Sequence, residues 1–300
     1  MKKLKTLQLF TKTVHLDTRP LVHLTNLVKL TANNCHITDI SFVSSLPYLK
    51  SLSLERNNIY DLKPLQSLTN LEDLHLSQNR IKDVSVLSHL PKLKMLYLDE
   101  NEIEDISCFH FLSQLEEVNL NFNRVMDLSP LVGLKSLKIL CLDNNGMEGC
   151  QDLADMVGLR ELYLSENRIK CIEPLKNLRN LRTLYLSCNE IADMTPISKL
   201  VELDTIDLAS NNISNISFLS GLVKLKTLDL DSNEIEDITP LYTLTSLSEL
   251  AISSNHISSL WPLTYLPKLK TLEYANNVTL DASSLVILME NGVRLIDQFP

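Results

Sequence analysis

Leucine stands at positions 27, 49, 71, 93, 115, 137, 159, 181, 203, 225, 247 and 269, and every interval is 22 residues. Self-similarity at a fixed period, without insertion or deletion, constrains the fold more than any single motif does. Numbered from that leucine, the unit reads L-x-x-L-x-L-x-x-N-x-I-x-D-I-x-P-L-x-x-L-x-x. Two of its copies, LRELYLSENRI (159–169) and LRTLYLSCNEI (181–191), are almost the same text. Some positions are held and others vary, so the held ones must carry the architecture.

Positions 4 and 6 are apolar and alternate with variable positions 3, 5 and 7, the period-2 signature of a short strand with one buried face. Leu162 and Leu164 face inward in this reading; Glu161, Tyr163 and Ser165 face outward. Each unit then adds one parallel strand about 4.8 Å from the last. Position 9 is Asn57, Asn79, Asn101, Asn123, Asn145, Asn167, Asn189, Asn211, Asn233, Asn255 and Asn277, with Cys35 in the first unit. The chain leaves the sheet there, so its backbone polar groups need partners. A side-chain amide offers both donors and acceptors, and stacked copies are expected to form a ladder. Cys35 lacks the amide acceptor, which predicts a weaker turn.

Positions 11, 14, 17 and 20 are almost entirely aliphatic and fill the interior on the way back. Pro at position 16 (Pro64, Pro130, Pro174, Pro196, Pro240 and Pro262) breaks long helices but fits a turn or a short 3₁₀ segment. The return path is therefore expected to be 3₁₀ or extended chain.

This is the leucine-rich-repeat pattern, and the chain resembles the 22-residue class of that family, which includes Sds22-like phosphatase regulators and bacterial internalins. The phrases Asp237-Ile-Thr-Pro-Leu241 and Asp127-Leu-Ser-Pro-Leu131 look especially internalin-like, and the resemblance covers about residues 21–290. It implies an α/β solenoid, a right-handed horseshoe with a parallel β-sheet on the concave face and 3₁₀ or extended segments on the convex face. Residues 1–26 read as a degenerate first repeat, 27–268 as eleven 22-residue repeats, and 269–300 as a last repeat with a cap. LKTLQL (4–9) reads as one more strand, Asp281 as the cap of a helix through Met289, and 293–297 as a closing strand. NNGMEGCQDLADM (144–156) has two glycines and no proline, which predicts a different convex loop in that repeat.

The variable positions 3, 5, 7 and 8 line the concave face. From the unit at 27 to that at 269 they hold thirteen acidic residues and two basic ones, Lys29 and Arg56. Basic residues gather at position 2 instead (Lys50, Lys94, Lys138, Arg160, Arg182, Lys226 and Lys270), where they are expected to offset part of the acidic field. Aromatic and apolar side chains occupy the middle of the face. The expected anchors are Tyr97, Phe122, Tyr163 and Tyr185 with Met95 and Ile139, since exposed aromatic clusters mark binding sites. Asp99, Glu117, Glu161, Asp207 and Asp229 are expected to steer a partner with a basic surface.

The net charge of −9 argues against nucleic acid and anionic membranes, which need a basic footprint. No stretch approaches the roughly 20 apolar residues of a spanning helix. Lys5 and Gln8 interrupt the apolar start that a signal segment requires. As it stands the chain is expected in the cytoplasm, with secretion as the alternative if a signal segment has been removed.

Six cysteines show no C-x-x-C pairing and read as free thiols of a reducing compartment. Cys150 and Cys171 lie in adjacent units, one at a buried position and one not. His75 stands three strands from Cys141, too far for a catalytic pair. His75 with Asp73 and Asp99 on an open face reads as hydrated surface rather than a metal site. The triplets at Asn212, Asn215 and Asn277 follow from the repeat text, and Asn277 is expected to be buried in the ladder. With no catalytic motif, no metal and no cofactor, the reading is a non-catalytic protein-binding module. The resemblance implies a regulatory subunit of an intracellular enzyme such as a protein phosphatase, or alternatively a secreted or surface adhesin or effector that binds a host protein.

Overall fold

A computed structural model describes residues 4–10, 16–278 and 280–297. The chain divides into two compact units, Met1–Gly146 and Met147–Pro300. The first carries strands β1 (Thr6–Gln8), β2 (Lys29–Thr31), β3 (Ser51–Ser53), β4 (Asp73–His75), β5 (Met95–Tyr97), β6 (Glu117–Asn119) and β7 (Ile139–Cys141). The second carries β8 (Glu161–Tyr163), β9 (Thr183–Tyr185), β10 (Thr205–Asp207), β11 (Thr227–Asp229), β12 (Glu249–Ala251), β13 (Thr271–Glu273) and β14 (Arg294–Ile296). Within each unit the strands pair in chain order and all pairs are parallel. The register advances by 22 residues, as in Leu74↔Leu96 and Ile206↔Leu228. It advances by 23 only at the ends, Leu7↔Leu30 and Leu272↔Leu295. Each unit is thus a solenoid of parallel three-residue strands joined by 3₁₀ turns.

Positions 4 and 6 of the strand segment are buried, with Leu96, Leu98, Leu162 and Leu164 fully inaccessible. Positions 11, 14, 17 and 20 follow them inward, as Ile59, Leu62, Leu65 and Leu68 show. The return segments are 3₁₀ turns, for example Lys63–Ser67, Glu173–Asn177 and Thr239–Thr243, with proline in the first turn of each. Proline is tolerated there because that N–H has no partner within the turn.

The aspartate of the D-I-x-P-L phrase fixes where each turn begins. Its carboxylate accepts the backbone N–H two residues on: Asp61 from Lys63 at 2.9 Å, Asp127 from Ser129 at 2.9 Å, Asp237 from Thr239 at 2.8 Å. Hydrogen bonds from the following serine or threonine hold Asp83, Asp127 and Asp193 below the ordinary carboxylate value. Two repeats lack the device, because Gly149 and Cys171 occupy that position.

The asparagines at position 9 bind their neighbours as well as their own turn. Asn123 Nδ2 donates to the carbonyls of Leu98, Leu120 and Asn121, and Asn123 Oδ1 accepts from Ile103 N–H at 3.0 Å. Asn189 does the same with Leu164, Leu186, Ser187 and Ile169. In the first repeat Cys35 Sγ donates to Asn33 O at 3.3 Å, and Cys35 N–H donates to Asn57 Oδ1 at 3.0 Å. Asn277 makes the ladder bonds yet is half-buried rather than buried, and the Thr279 of its triplet lies outside the described residues.

The residue before each ladder position, position 8, adopts a left-handed backbone in every repeat. Arg56, Gln78, Glu100 and Phe122 in the first unit and Glu166, Cys188 and Ser210 in the second have φ of 53 to 57°. None of them is glycine, so the repeat holds a conformation that L-residues disfavour.

Two expectations change. The repeat at 137 keeps a five-residue 3₁₀ turn, Gln151–Asp155, on its return path. Its departure lies earlier, at Gly146 with φ 76°. The shortened turn belongs to the repeat before it, where Ser129–Leu131 spans three residues because Gly133, at φ 97°, redirects the chain. At the C-terminal end, helix α1 (Ala282–Glu290) starts on Asp281, whose carboxylate accepts Ser284 N–H at 2.8 Å. β14 then pairs with β13 as the last strand. Residues 11–15 of the degenerate first repeat lie outside the described residues.

Candidate protein-interaction face

The outward sheet face of the first unit centres on one aromatic stack. His75 and Tyr97 are register partners on β4 and β5, and their rings lie 4.5 Å apart at 11°. Parallel strands place equivalent side chains side by side, and this spacing suits offset stacking. Tyr97 Oη donates to Glu117 Oε1 on β6 at 2.5 Å. Burial and that carboxylate push the phenol's pKa up, so Tyr97 stays neutral. His75 Nδ1 lies 3.5 Å from Glu55 Oε1. Asp99 accepts from Ser77 Oγ, and a cavity of about 300 Å³ opens between Glu55, Arg56, His75, Tyr97 and Asp99.

Met95 and Ile139 are half-buried on either side of Glu117, in register with it. Phe122 stands apart. It is 45% exposed, sits at the left-handed position 8 with φ 55°, and donates its backbone N–H to Asp143 O at 2.8 Å.

The second unit repeats the theme with more acid. Tyr163 and Tyr185 stack at 4.9 Å and 14°. Tyr163 Oη donates to Glu161 Oε2 at 2.9 Å. Burial first, then Asp207, Asp229 and Glu161, raise the Tyr185 phenol. Asp207 faces Asp229 in register across β10 and β11, and accepts from Ser187 Oγ at 2.8 Å. Asp229 accepts Asp231 N–H at 2.9 Å. A cavity of about 360 Å³ lies over Asp229, Glu249, Ala251, Glu273, Arg294 and Ile296.

Burial pushes Asp229 up to about 7, with Asp231, Asp207 and Glu273 adding to it against the hydrogen bond from Asp231 N–H. The carboxyl therefore titrates near neutrality. Its folded value exceeds the ordinary 3.8, so it costs folding nothing below that pH and increasingly more as pH rises through about 7. Asp229→Asn is expected to stabilise the protein by about 1 kcal/mol or more at pH 8 and to leave stability unchanged at pH 4. Urea unfolding of both proteins at the two pH values measures this; an equal effect at both would show that burial is not the cause.

The aromatic zone expected from Tyr97 to Tyr185 thus consists of two stacks, one in each unit. His75, outside the expected anchors, forms half of the first. Its place in the position-5 column beside Tyr97 was the available signal. The acidic group of the second unit also gains Asp231 and Glu273, and the closing strand adds Arg294 and Ile296 beside it. The position-2 lysines pair mainly within their own column: Lys50 and Lys94 both bind Glu72, at 2.7 and 3.1 Å, and Lys226 binds Asp204 at 3.6 Å.

All six cysteines are free thiols. Among the described residues no cluster of His, Cys, Asp or Glu has the geometry for a metal ion. No helix among them is long and apolar enough to cross a membrane.

A family model for leucine-rich repeats in two copies matches residues 25–68, 157–199 and 201–243. A second leucine-rich-repeat model matches 47–103 and 69–125. No curated protein matches the sequence. Among solved structures, the internalin InlF from Listeria monocytogenes is 29% identical, with a TM-score of 0.87, covering 94% of this chain and 83% of that one. A leucine-rich-repeat protein of Leptospira interrogans is 20% identical over 98% of this chain and 90% of its own, with a TM-score of 0.69. The plant peptide hormone receptor RGFR1, solved in complex with RGF2, is 18% identical over 99% of this chain and 53% of the receptor, with a TM-score of 0.68.

Proposed function

The chain belongs to the leucine-rich-repeat family, and from that premise we infer that it is a non-catalytic module that binds a protein partner through the outward face of its sheets. The partner presents a basic surface. Tyr97, Phe122, Tyr163 and Tyr185 are the anchors, supported by Met95 and Ile139. Asp99, Glu117, Glu161, Asp207 and Asp229 steer the partner's cations.

Phe122 carries this reading. A bulky side chain at φ 55° costs the fold about 1–2 kcal/mol relative to a residue that tolerates the left-handed region. Asn144 and Asn276 show that the same position accepts asparagine. The phenylalanine side chain is 45% exposed, which makes it available to a partner. Asp229 supports the same conclusion: its carboxyl is held where ionisation is disfavoured, and a partner's cation would relieve it.

Two resemblances support readings of the partner's setting. The Sds22-like repeat length supports an intracellular enzyme such as a protein phosphatase, with the chain in the cytoplasm. The similarity to an internalin structure supports the alternative, a host protein met by a secreted or surface-held chain.

The test is a pull-down with wild-type and Phe122→Asn baits, followed by affinity measurement on the captured protein. Asparagine relieves the backbone, so the variant is expected to unfold about 1 kcal/mol later and to bind about 10-fold more weakly. Equal affinity of the two baits for every captured protein would remove Phe122 from the interaction.

A further inference from the structure

We propose that Cys150 and Cys171 form a thiol–disulfide pair that staples two neighbouring repeats of the second unit when an oxidant reaches Cys171. Cys150 Sγ lies against the neighbouring repeat, donating to Cys171 O at 3.6 Å. The two residues are 21 apart in sequence, one short of the repeat, so they stand one position out of register on the return paths of adjacent repeats. Both thiols are free; Cys171 is exposed and Cys150 is buried.

A second observation gives the pair a purpose. The aspartate that anchors the start of the 3₁₀ turn is missing in these two consecutive repeats, where Gly149 and Cys171 replace it. In the second unit the following repeats keep the anchor, through Asp193, Asn215 and Asp237. The exposed thiol stands where the side-chain-to-backbone bond is absent, so a covalent link would restore a tie at that place.

The chemistry divides between the two groups. Burial, with a smaller contribution from Cys171, pushes the Cys150 thiol up to about 12, so it stays protonated and does not react first. A peroxide accepts the two electrons: the Cys171 thiolate attacks one peroxide oxygen and becomes a sulfenic acid, and the other oxygen leaves as hydroxide, which takes up the proton the thiol released and becomes water. Cys150 sulfur then attacks the Cys171 sulfur. The S–S bond forms, the S–O bond breaks, and the hydroxide leaves as a second water with the Cys150 proton.

The experiment treats the full chain with hydrogen peroxide, blocks remaining thiols with N-ethylmaleimide after denaturation, and maps the non-reduced digest by tandem mass spectrometry. The principal linked peptide is expected to join Cys150 to Cys171, to vanish in Cys171→Ser, and to revert with dithiothreitol. The oxidised protein is expected to resist proteolysis of residues 151–170 several-fold better than the reduced one. Cys141 shares a tryptic peptide with Cys150, so the mapping is repeated in Cys141→Ser. Accumulation of Cys171 as sulfinic or sulfonic acid with Cys150 fully alkylated would overturn the proposal. A dominant link from Cys171 to the exposed Cys188 would overturn it as well.

Discussion

Asn123→Ala is expected to lower the stability of the protein by about 3 kcal/mol or more. The buried amide of Asn123 serves three carbonyls and the Ile103 N–H, and alanine replaces none of these contacts. Each buried polar group left without a partner costs about 1–3 kcal/mol, and no water channel is needed to see why: the side chain is only 7% exposed. Repeat stability is a sum of local and neighbour terms, so the damage should spread to the adjoining repeats before the rest of the unit. Equilibrium urea unfolding gives the size of the loss, and amide hydrogen exchange at Ile103 gives its place. Asn277→Ala, at a half-buried rung, should cost about 1 kcal/mol. Equal losses at the two rungs would mean that burial does not set the ladder's strength.

Replacing Tyr97, Tyr163 and Tyr185 together by alanine is expected to weaken partner binding by about 100-fold or more. A single anchor of this kind contributes about 2 kcal/mol, and joint losses fall short of the sum. The fold should persist, because Leu96, Leu162 and Leu184 beneath the rings stay buried and outward cross-strand pairs contribute only about 0.2–1 kcal/mol each. Binding by the wild type should also weaken in salt, since the carboxylates beside the rings act at long range. The measurement is titration of the captured partner with both proteins at low and high ionic strength. If the triple variant binds as tightly as the wild type, the contact surface lies on the 3₁₀ side, a rim or an end.

Much of the fold was legible because the repeat is its own alignment. Twelve copies of Leu at one fixed place, with Asn and Ile at two others in nearly every copy, separate what packs from what varies, so strand positions, the ladder and the 3₁₀ return follow from period and side-chain chemistry. The closing helix on Asp281 was readable from its cap. Other features were not. The left-handed backbone at position 8 leaves no single residue type behind it: Arg, Gln, Glu, Phe, Ser and Cys all occur there, and the constraint is imposed by the ladder that follows. The aspartate at position 13 was visible as text, but its role needed the Asx-type bond to the residue two places on. For the same reason the repeat at 137 misled. Its glycines suggested a changed convex loop, whereas Gln151–Asp155 keeps the turn and Gly133 in the preceding repeat shortens one.

The candidate face was legible only as columns. Sequence spacing put His75 beside Tyr97 and Tyr163 beside Tyr185, but ring geometry depends on side-chain torsions that no spacing records. The acidity of Asp229 depends on how much water reaches it, which the neighbouring Asp231, Glu273 and the β14 residues decide together.

The ladder has one more consequence, for the history of the chain. Asn101 bonds to residues 2, 3, 20 and 25 places earlier, and Asn123 repeats the same four offsets. If residues 93–114 were excised, Asn123 would arrive where Asn101 now stands, with the Leu76 carbonyl and the Ile81 amide waiting for it. Recombination in steps of 22 residues would thus pass through the core without leaving a broken bond. The extent of the face can change by whole repeats while its interior chemistry stays fixed, so reach and specificity are free to evolve separately.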